Sequence, residues 1–373
     1  MPELVALDLP AGPGFVDALR CVWDAGDAVL PIDPRLPAPA VSAVLGALRP
    51  SRVVDPEGAH ARPDGVATEA GDALVVPTSG TTGSAKGVVL THDAVTASAL
   101  ATSARLLVDP DRDRWLACLP LAHIGGLAVV ARALVTGTPC TVLERFDAAA
   151  VEDQARAGAT LVALVATALG RTDVSGYRAV LLGGAAPPVQ LEANVITTYG
   201  MTETGSGVVY DGRPLDGVDL RIDGTGATGE VMVRGPMLLR AYRDGTDPRV
   251  SGGWFPTGDA GRLEPDGTLT VFGRIADVIV SGGEKVWPAP VERLLAGHPG
   301  VGQVAVWKRP DPEWGERVVA WVVPADPAAP PGLDELRDMV ASAMAPWSAP
   351  RELEVVASLP CTPSGKVRRA DLV

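Results

Sequence analysis

The chain has 373 residues, more than a single hydrophobic core usually serves, so two domains of unequal size are the default expectation. Hydrophobic residues make up 47% and charged residues 21%, an ordinary globular composition. The formal net charge of −13 disfavours nonspecific binding to nucleic acid or anionic lipid, because either polyanion would be repelled, but it leaves room for a local positive pocket around a small anion.

The first predicted strand is the apolar run Ala73 to Val76, which leads into PTSGTTGSAKGVVLTH over 77–92. A helix is expected over His92 to Leu107 and another over Ala148 to Ala157, stopped by Gly158. Two more apolar runs end in glycine turns: Ala179 to Leu182 before Gly183-Gly184, and Val195 to Tyr199 before Gly200. Strands alternating with helices predict a layered α/β architecture. After about residue 217 the texture becomes β-rich, with GEVMVRG and GTLTVFGR separated by Gly-Asp-Pro turns. Beyond Arg274 it changes again. Strands at Val304 to Lys308, Arg317 to Val323 and Glu352 to Val356, with a helix over Asp334 to Ala345 carrying Leu336, Met339, Val340 and Met344 on one face, predict a compact α+β unit. Pro324 to Pro331 reads as a loop, and no internal repeat is visible. The expected boundaries are 1–275 and 276–373.

The opening residues MPELVALDLP carry Glu3 and Asp8 and do not read as a secretory signal, which points to the cytoplasm. Ala159 to Gly170, the longest nearly uncharged apolar stretch, is far too short to cross a bilayer, so stable membrane insertion is not expected. Cys21, Cys118, Cys140 and Cys361 are scattered, and with only four histidines they offer no zinc site at familiar spacing; reduced thiols are the reading. The number of copies stays open, a homodimer among the options.

The loop after the first strand concentrates hydroxyls and glycines around one lysine. Ser79, Gly80, Thr81, Thr82, Gly83 and Ser84 would present backbone N–H groups and side-chain oxygens to an anion, and Lys86 would add a point charge. A Walker A loop does not fit, because Ala85 precedes the lysine and Gly87 follows it. Taken alone, such a stretch is more often a solvated loop.

Five further segments change that reading. PTSGTTGSAKG (77–87), LPLAHIGG (119–126), TTYGMTETGS (197–206), GWFPTGDAGRL (253–263), GRIADVIVSGGEKVWP (273–288) and LPCTPSGKVRR (359–369) resemble, in order, the signature segments of the adenylate-forming enzymes: acyl-CoA synthetases, carrier-protein adenylation domains and luciferases. The resemblance implies a large N-terminal domain of layered α/β sheets with a β-rich subdomain, followed by a small mobile α+β domain. It also implies a reaction in which ATP activates a carboxylic acid as acyl-AMP with release of pyrophosphate, after which the acyl group passes to a thiol such as that of CoA.

Each motif then acquires an expected share of the work. Thr78 to Gly83 and Lys86 would hold the β- and γ-phosphates. Thr202 would reach the α-phosphate and Glu203 would help bind Mg²⁺, which suits one carboxylate plus phosphate oxygens. Tyr199, within Thr198-Tyr199-Gly200, would lie against adenine, with Gly183, Gly184 and Ala185 on the other side. Asp259 would accept from both ribose hydroxyls with Arg274 in support. His123 would orient the acid or gate its pocket without proton transfer. Lys366 would bridge the acyl carboxylate and the α-phosphate as their bond forms, offsetting charge between two anions. Rotation of the small domain would then withdraw Lys366 and present Ser281, Gly282 and Gly283 to the arm of CoA. At the hinge, many relatives have aspartate or lysine where this chain has Ala276.

The short region ahead of the phosphate loop and GVVYDGRPLDGV (207–218) are similar to the compact family members that activate o-succinylbenzoate in menaquinone synthesis. That acid carries a second carboxylate, for which Arg132 is the candidate cation, with Ser206 and Gly207 as candidate lining of the same pocket. Another aromatic or medium-chain acid, or a carrier protein as acceptor, remains the alternative.

Overall fold

The computed structural model describes the chain except residues 80–84, 186, 189, 225–226, 362–366 and 373, and the side chain of Ser79. It has mixed α/β architecture and divides into two compact units, one comprising 1–185, 192–220 and 233–255, the other 186–191, 221–232 and 256–373.

The first unit holds two seven-stranded sheets. In one, Leu4–Leu7 lies parallel between Ala28–Pro31 and Arg52–Asp55, and Ala28–Pro31 pairs in parallel with Asp72–Ser79. These strands are buried on both faces, which is why LVAL and AVLP read as unbroken apolar runs. Helix Ala38–Leu48 covers one face through Leu48 and the partly buried Val41, Val44 and Leu45. Asp72–Ser79 then turns back on Ala85–Thr91 as an antiparallel hairpin, with Thr78 opposite Lys86. Thr91 caps helix His92–Leu106, its hydroxyl accepting from the Ala94 N–H.

The second sheet has a parallel centre of Cys140–Val142, Trp115–Ala117, Leu161–Val165, Ala179–Gly183 and Val195–Met201, edged by antiparallel Ser206–Tyr210. Leu116, Val162, Leu164, Val180 and Leu182 fill its core with Val151 of helix Ala148–Arg156. The stretch from Ala159 to Gly170 is therefore a buried strand followed by the short helix Ala166–Leu169. Among the described residues, no helix is long and apolar enough to cross a membrane.

The second unit is antiparallel in its main pairings. Phe255–Leu263 and Leu269–Arg274 belong to a four-stranded sheet, and Val301–Asp311 pairs with Gly315–Pro324 in a five-stranded one. Alternation along Gly315–Pro324 sends Val318, Ala320 and Val322 into a core with Leu336 and Val340, while Val319 and Trp321 face a second core that includes Leu372. The helix expected from Asp334 runs Leu333–Ala343. Glu352–Val355 adds a strand parallel to Gly315–Pro324, whose last residue is Pro324, so the loop begins one residue later than expected. The expected 275/276 boundary falls inside the second unit, on a short 3-10 turn, Ile275–Asp277, spanned by Phe272 and Trp287, whose rings stack with centroids 6.2 Å apart.

Candidate active site

In the first unit, the candidate residues follow the carboxyl ends of parallel strands or close the hairpin beside them, the usual location of ligand crevices in such sheets. Thr78, one residue before the end of the first hairpin strand, donates its Oγ1 hydrogen to the Lys86 carbonyl at 3.3 Å. Gly80, Thr81, Thr82 and Gly83 lie outside the described residues, as does the side chain of Ser79. The pairing on either side of them nevertheless brings both ends of the segment together.

Thr202 and Glu203 occupy a 3-10 turn directly after Val195–Met201. The Glu203 carbonyl accepts from the Leu239 N–H at 2.8 Å, tying this turn to the chain that leads into strand Ala241–Tyr242. That strand pairs with Ala85–Thr91, so Tyr242 lies opposite Val88. Its hydroxyl donates to Glu203 Oε1 at 3.0 Å, while the Lys86 ammonium sits 5.2 Å from the centre of its ring. Burial first, and the Glu203 carboxylate second, raise the Tyr242 phenol above its ordinary value, so it remains a donor. The phosphate-loop lysine and the candidate metal carboxylate thus meet on one aromatic side chain. Sequence reasoning missed this residue; with four tyrosines in the chain, its place near the end of LLRAYRDG was the only signal.

The adenine-motif residues assemble from two adjacent strands. Gly183 ends Ala179–Gly183, Gly184 turns with φ +83°, and Thr198 Oγ1 donates to the Leu182 carbonyl at 3.2 Å. A Cβ on Gly183 would stand 2.6 Å from Thr198 Oγ1, so a larger residue there would have to displace the threonine hydroxyl from the Leu182 carbonyl. Gly200 and Met201 pair with Gly207 and Ser206 across a bulge, which places the candidate pocket-lining pair directly against the adenine motif.

His123 caps helix Ile124–Thr136 and is half-exposed. It lines a cavity of about 90 Å³ with Asp33, Leu36, Val44 and Pro77. Arg35 holds Asp33 through Nε and Nη2 at 2.8 and 2.6 Å, and that hydrogen bond keeps the Asp33 carboxyl below its usual value. The same Nη2 lies 3.4 Å from His123 Nε2. The same His123 nitrogen lies 3.6 Å from Asp33 Oδ2, so it can accept from Arg35 when unprotonated or donate to Asp33 when protonated. Asp33 and Arg35, in PIDPRLP, were also absent from the sequence reading.

Arg132 does not share that cavity. It is 2% exposed, its guanidinium lies 5.0 Å from the centre of the Trp115 ring, and no carboxylate among the described residues pairs with it. Its Nε has no hydrogen-bond partner, and burial pushes its pKa down. Ser98, Ile124, Ala128 and Gly205 line a small cavity beside it. All four cysteines are free; burial pushes Cys118 up to about 12 and Cys140 to about 11, so neither is a thiolate at neutral pH.

In the second unit, Asp259 and Arg274 stand opposite one another on paired strands and form an ion pair at 3.1 Å. Arg274 Nη1 also donates to the Thr257 carbonyl at 2.8 Å, which fixes the guanidinium around a largely buried Asp259. Ser281 closes strand Ile279–Ser281, and Gly282 and Gly283 turn back to Glu284–Val286. Ser281 Oγ is buried without a partner among the described residues. Lys366 lies outside the described residues; Cys361 and Val367, on either side of 362–366, form a β-bridge.

No cluster of three His, Cys, Asp or Glu side chains occurs among the described residues. A single carboxylate, Glu203, with one oxygen held by Tyr242, suits Mg²⁺ that arrives on nucleotide phosphates, since this ion keeps several waters and takes one or two carboxylates.

The two-unit α/β scaffold and the motifs along it define an adenylate-forming protein. The AMP-binding enzyme family model matches residues 57–243, and the model of its C-terminal domain matches 290–366. The chain belongs to the AMP-binding enzyme family. It is 40% identical to a probable 2-succinylbenzoate–CoA ligase of Mycobacterium tuberculosis, over 99% of this chain and 97% of that protein. It is 32% identical to the 2-succinylbenzoate–CoA ligase of Bacillus cereus, over 80% of this chain and 69% of that one. The solved o-succinylbenzoate CoA synthetase of Bacillus subtilis, in complex with its acyl-adenylate intermediate, is 27% identical and superposes with a TM-score of 0.87, covering 99% of this chain and 88% of that chain.

Proposed function

We propose that this protein is an ATP-dependent, AMP-forming acid–thiol ligase that joins o-succinylbenzoate to coenzyme A through an acyl-adenylate, in menaquinone synthesis. The observation that carries the substrate is Arg132: a buried cation with no carboxylate partner among the described residues, in a chain 40% identical along its length to a relative bearing that name. An unpaired buried charge is costly, and the second carboxylate of the acid would neutralise it.

The chemistry rests on gathering positive charge where two anions meet. The hairpin of Thr78 to Lys86 holds the outer phosphates, and Thr202 reaches the α-phosphate. Glu203 takes the Mg²⁺ that accompanies ATP; the ion screens the phosphate charge. Tyr199 and the backbone of Gly183 to Ala185 enclose adenine, Asp259 with Arg274 holds the ribose, and His123 flanks the reacting carboxylate. Residues 1–275 bind ATP and acid, and residues 276–373 form the mobile domain that delivers Lys366 and then the Ser281–Gly283 turn. A cytoplasmic location follows from the ATP and CoA it consumes.

The test is a panel of acids, o-succinylbenzoate included, with ATP, Mg²⁺ and CoA, in which pyrophosphate and thioester are both measured. Acid-dependent pyrophosphate release with o-succinylbenzoate-CoA as product is expected. Turnover of a simple monoacid in place of the diacid would overturn the substrate and spare the reaction class. Thioester formed only on a carrier protein would overturn CoA as acceptor. Lys366→Ala should abolish adenylation while leaving thioester formation from supplied acyl-adenylate.

A further inference from the structure

We propose that Tyr242 is a positioning residue that holds Glu203 and Lys86 apart and separately oriented, so that both stay available to Mg²⁺ and the phosphates of ATP; this rests on the nucleotide-binding reading above. Lys86, which is exposed, and Glu203, which is partly buried, both contact Tyr242, and an ammonium and a carboxylate free to approach attract each other when no ligand is present. Direct pairing would spend both groups on one another, and ATP would have to break the pair before binding.

The geometry around Tyr242 prevents that. Its hydroxyl donates to Glu203 Oε1 at 3.0 Å, and no donor among the described residues is placed on Oε2. The face of the ring receives the Lys86 ammonium at 5.2 Å, a cation–π contact that holds the charge without neutralising it. The backbone that carries the ring is anchored on both sides. Tyr242 lies in the ladder opposite Val88, on the strand that carries Lys86, and its N–H donates to the Thr246 carbonyl at 2.8 Å. One side chain on this anchored backbone therefore contacts Glu203 through its hydroxyl and Lys86 through its face. Asp244, two residues on, is the competing carboxylate: Lys86 is among the groups that lower its pKa. Removing the ring would let Lys86 settle on either acid.

The test separates hydroxyl from ring. Tyr242→Phe keeps shape and cation–π contact and loses only the bond to Glu203; Tyr242→Leu loses both. Binding of MgATP by calorimetry and of Mn²⁺·ATP by electron paramagnetic resonance gives readouts independent of turnover. Tyr242→Phe is expected to weaken both on the order of tenfold, the usual effect of losing a group that orients a metal ligand. It should raise the KM for ATP and the Mg²⁺ needed for half-maximal rate, while the KM for the acid stays within about twofold. Tyr242→Leu should weaken nucleotide binding further; if it does not fold, the phenylalanine variant alone decides. Wild-type affinity for Mn²⁺·ATP in Tyr242→Phe, or an acid KM that rises as much as that for ATP, overturns the proposal. If the wild-type protein binds MgATP but releases no pyrophosphate with any acid, the functional reading fails and the binding measurements still decide the role of Tyr242.

Discussion

Arg132 rests its guanidinium on the ring of Trp115, 5.0 Å from its centre, in an interior where no described carboxylate answers its charge. Ordinary folding would replace such an arginine with leucine or methionine, because a buried ion that is not paired is a net cost. Arg132→Leu is therefore expected to leave the ligand-free protein as stable as wild type or about 1–4 kcal/mol more stable, in line with replacements of buried charge by apolar side chains. The same variant should lose on the order of a hundredfold in kcat/KM for o-succinylbenzoate and little for a monoacid, since a charge-assisted contact is removed. Thermal unfolding and parallel kinetics check both signs. A destabilised protein that loses diacid and monoacid equally would make Arg132 a structural residue.

Asp33 offers a pH test. Its carboxyl is depressed below the unfolded value of 3.8, chiefly by the hydrogen bond from Arg35, and His123 is a lesser contributor. A depressed acid contributes stability that is fully present above its unfolded pKa and is lost as pH falls through the folded one. Wild type should therefore exceed Asp33→Asn in stability at neutral pH, with the difference shrinking below about pH 4. Denaturant midpoints from pH 7 down to 3 measure it, and a pH-independent difference would assign the loss to packing.

The turn at Gly282 and Gly283 separates backbone strain from contact. Both have positive φ, +62° and +84°, but a Cβ on Gly282 would stand 2.6 Å from Trp314 Cε3, whereas one on Gly283 meets nothing within 4 Å. Gly283→Ala should cost about 1–2 kcal/mol, the price of a left-handed L-residue. Gly282→Ala should cost about 1–3 kcal/mol more, because the ring must shift. If this turn lines the path of the CoA arm, thioester formation from acyl-adenylate should fall in both variants more than adenylation does. Equal losses in the two half-reactions would remove the turn from that path.

Much of this was legible because the relevant physics is local. The strand from Ala73, the helix from His92 and a strand within Gly315–Pro324 follow from apolar periodicity, whereas Asp259 beside Arg274 follows from the family resemblance alone. Tyr242, Asp33 and Arg35 were not legible. They reach the candidate site only because Ala241–Tyr242 pairs with Ala85–Thr91 and because Ala28–Pro31 lies beside Asp72–Ser79, pairings between segments far apart in sequence. Arg132 was found but its setting was not: helical periodicity leaves an arginine in IGGLAVVARALVT equally ready for solvent or for the core, and only the packing around Trp115 decides.

Arg369 carries the last prediction. Its Nη2 donates to both carboxylate oxygens of Glu292 at 2.8 Å, and Nη1 lies 3.5 Å from Asp277 Oδ2, in the turn at the 275/276 junction. Glu292 Oε1 also accepts from the Val306 N–H at 2.8 Å, so helix Pro288–Leu295, strand Val301–Asp311 and the chain after Lys366 share one carboxylate. Cys361 and Val367, on either side of 362–366, form a β-bridge, and Arg369 ties the chain just beyond it to Glu292. If Lys366 reaches between two anions as proposed, its placement depends on such a base, because a misplacement of about 1 Å costs on the order of a hundredfold. Arg369→Met should accordingly slow acyl-adenylate formation about 10- to 100-fold and leave thioester formation from supplied acyl-adenylate within about threefold, as expected when a group orienting a catalytic side chain is lost. Arg369→Lys, which keeps charge but not the two-pronged contact, should fall between them. Single-turnover measurements of the two half-reactions check this, and equal slowing of both would mean that the ion pair only holds the domain together.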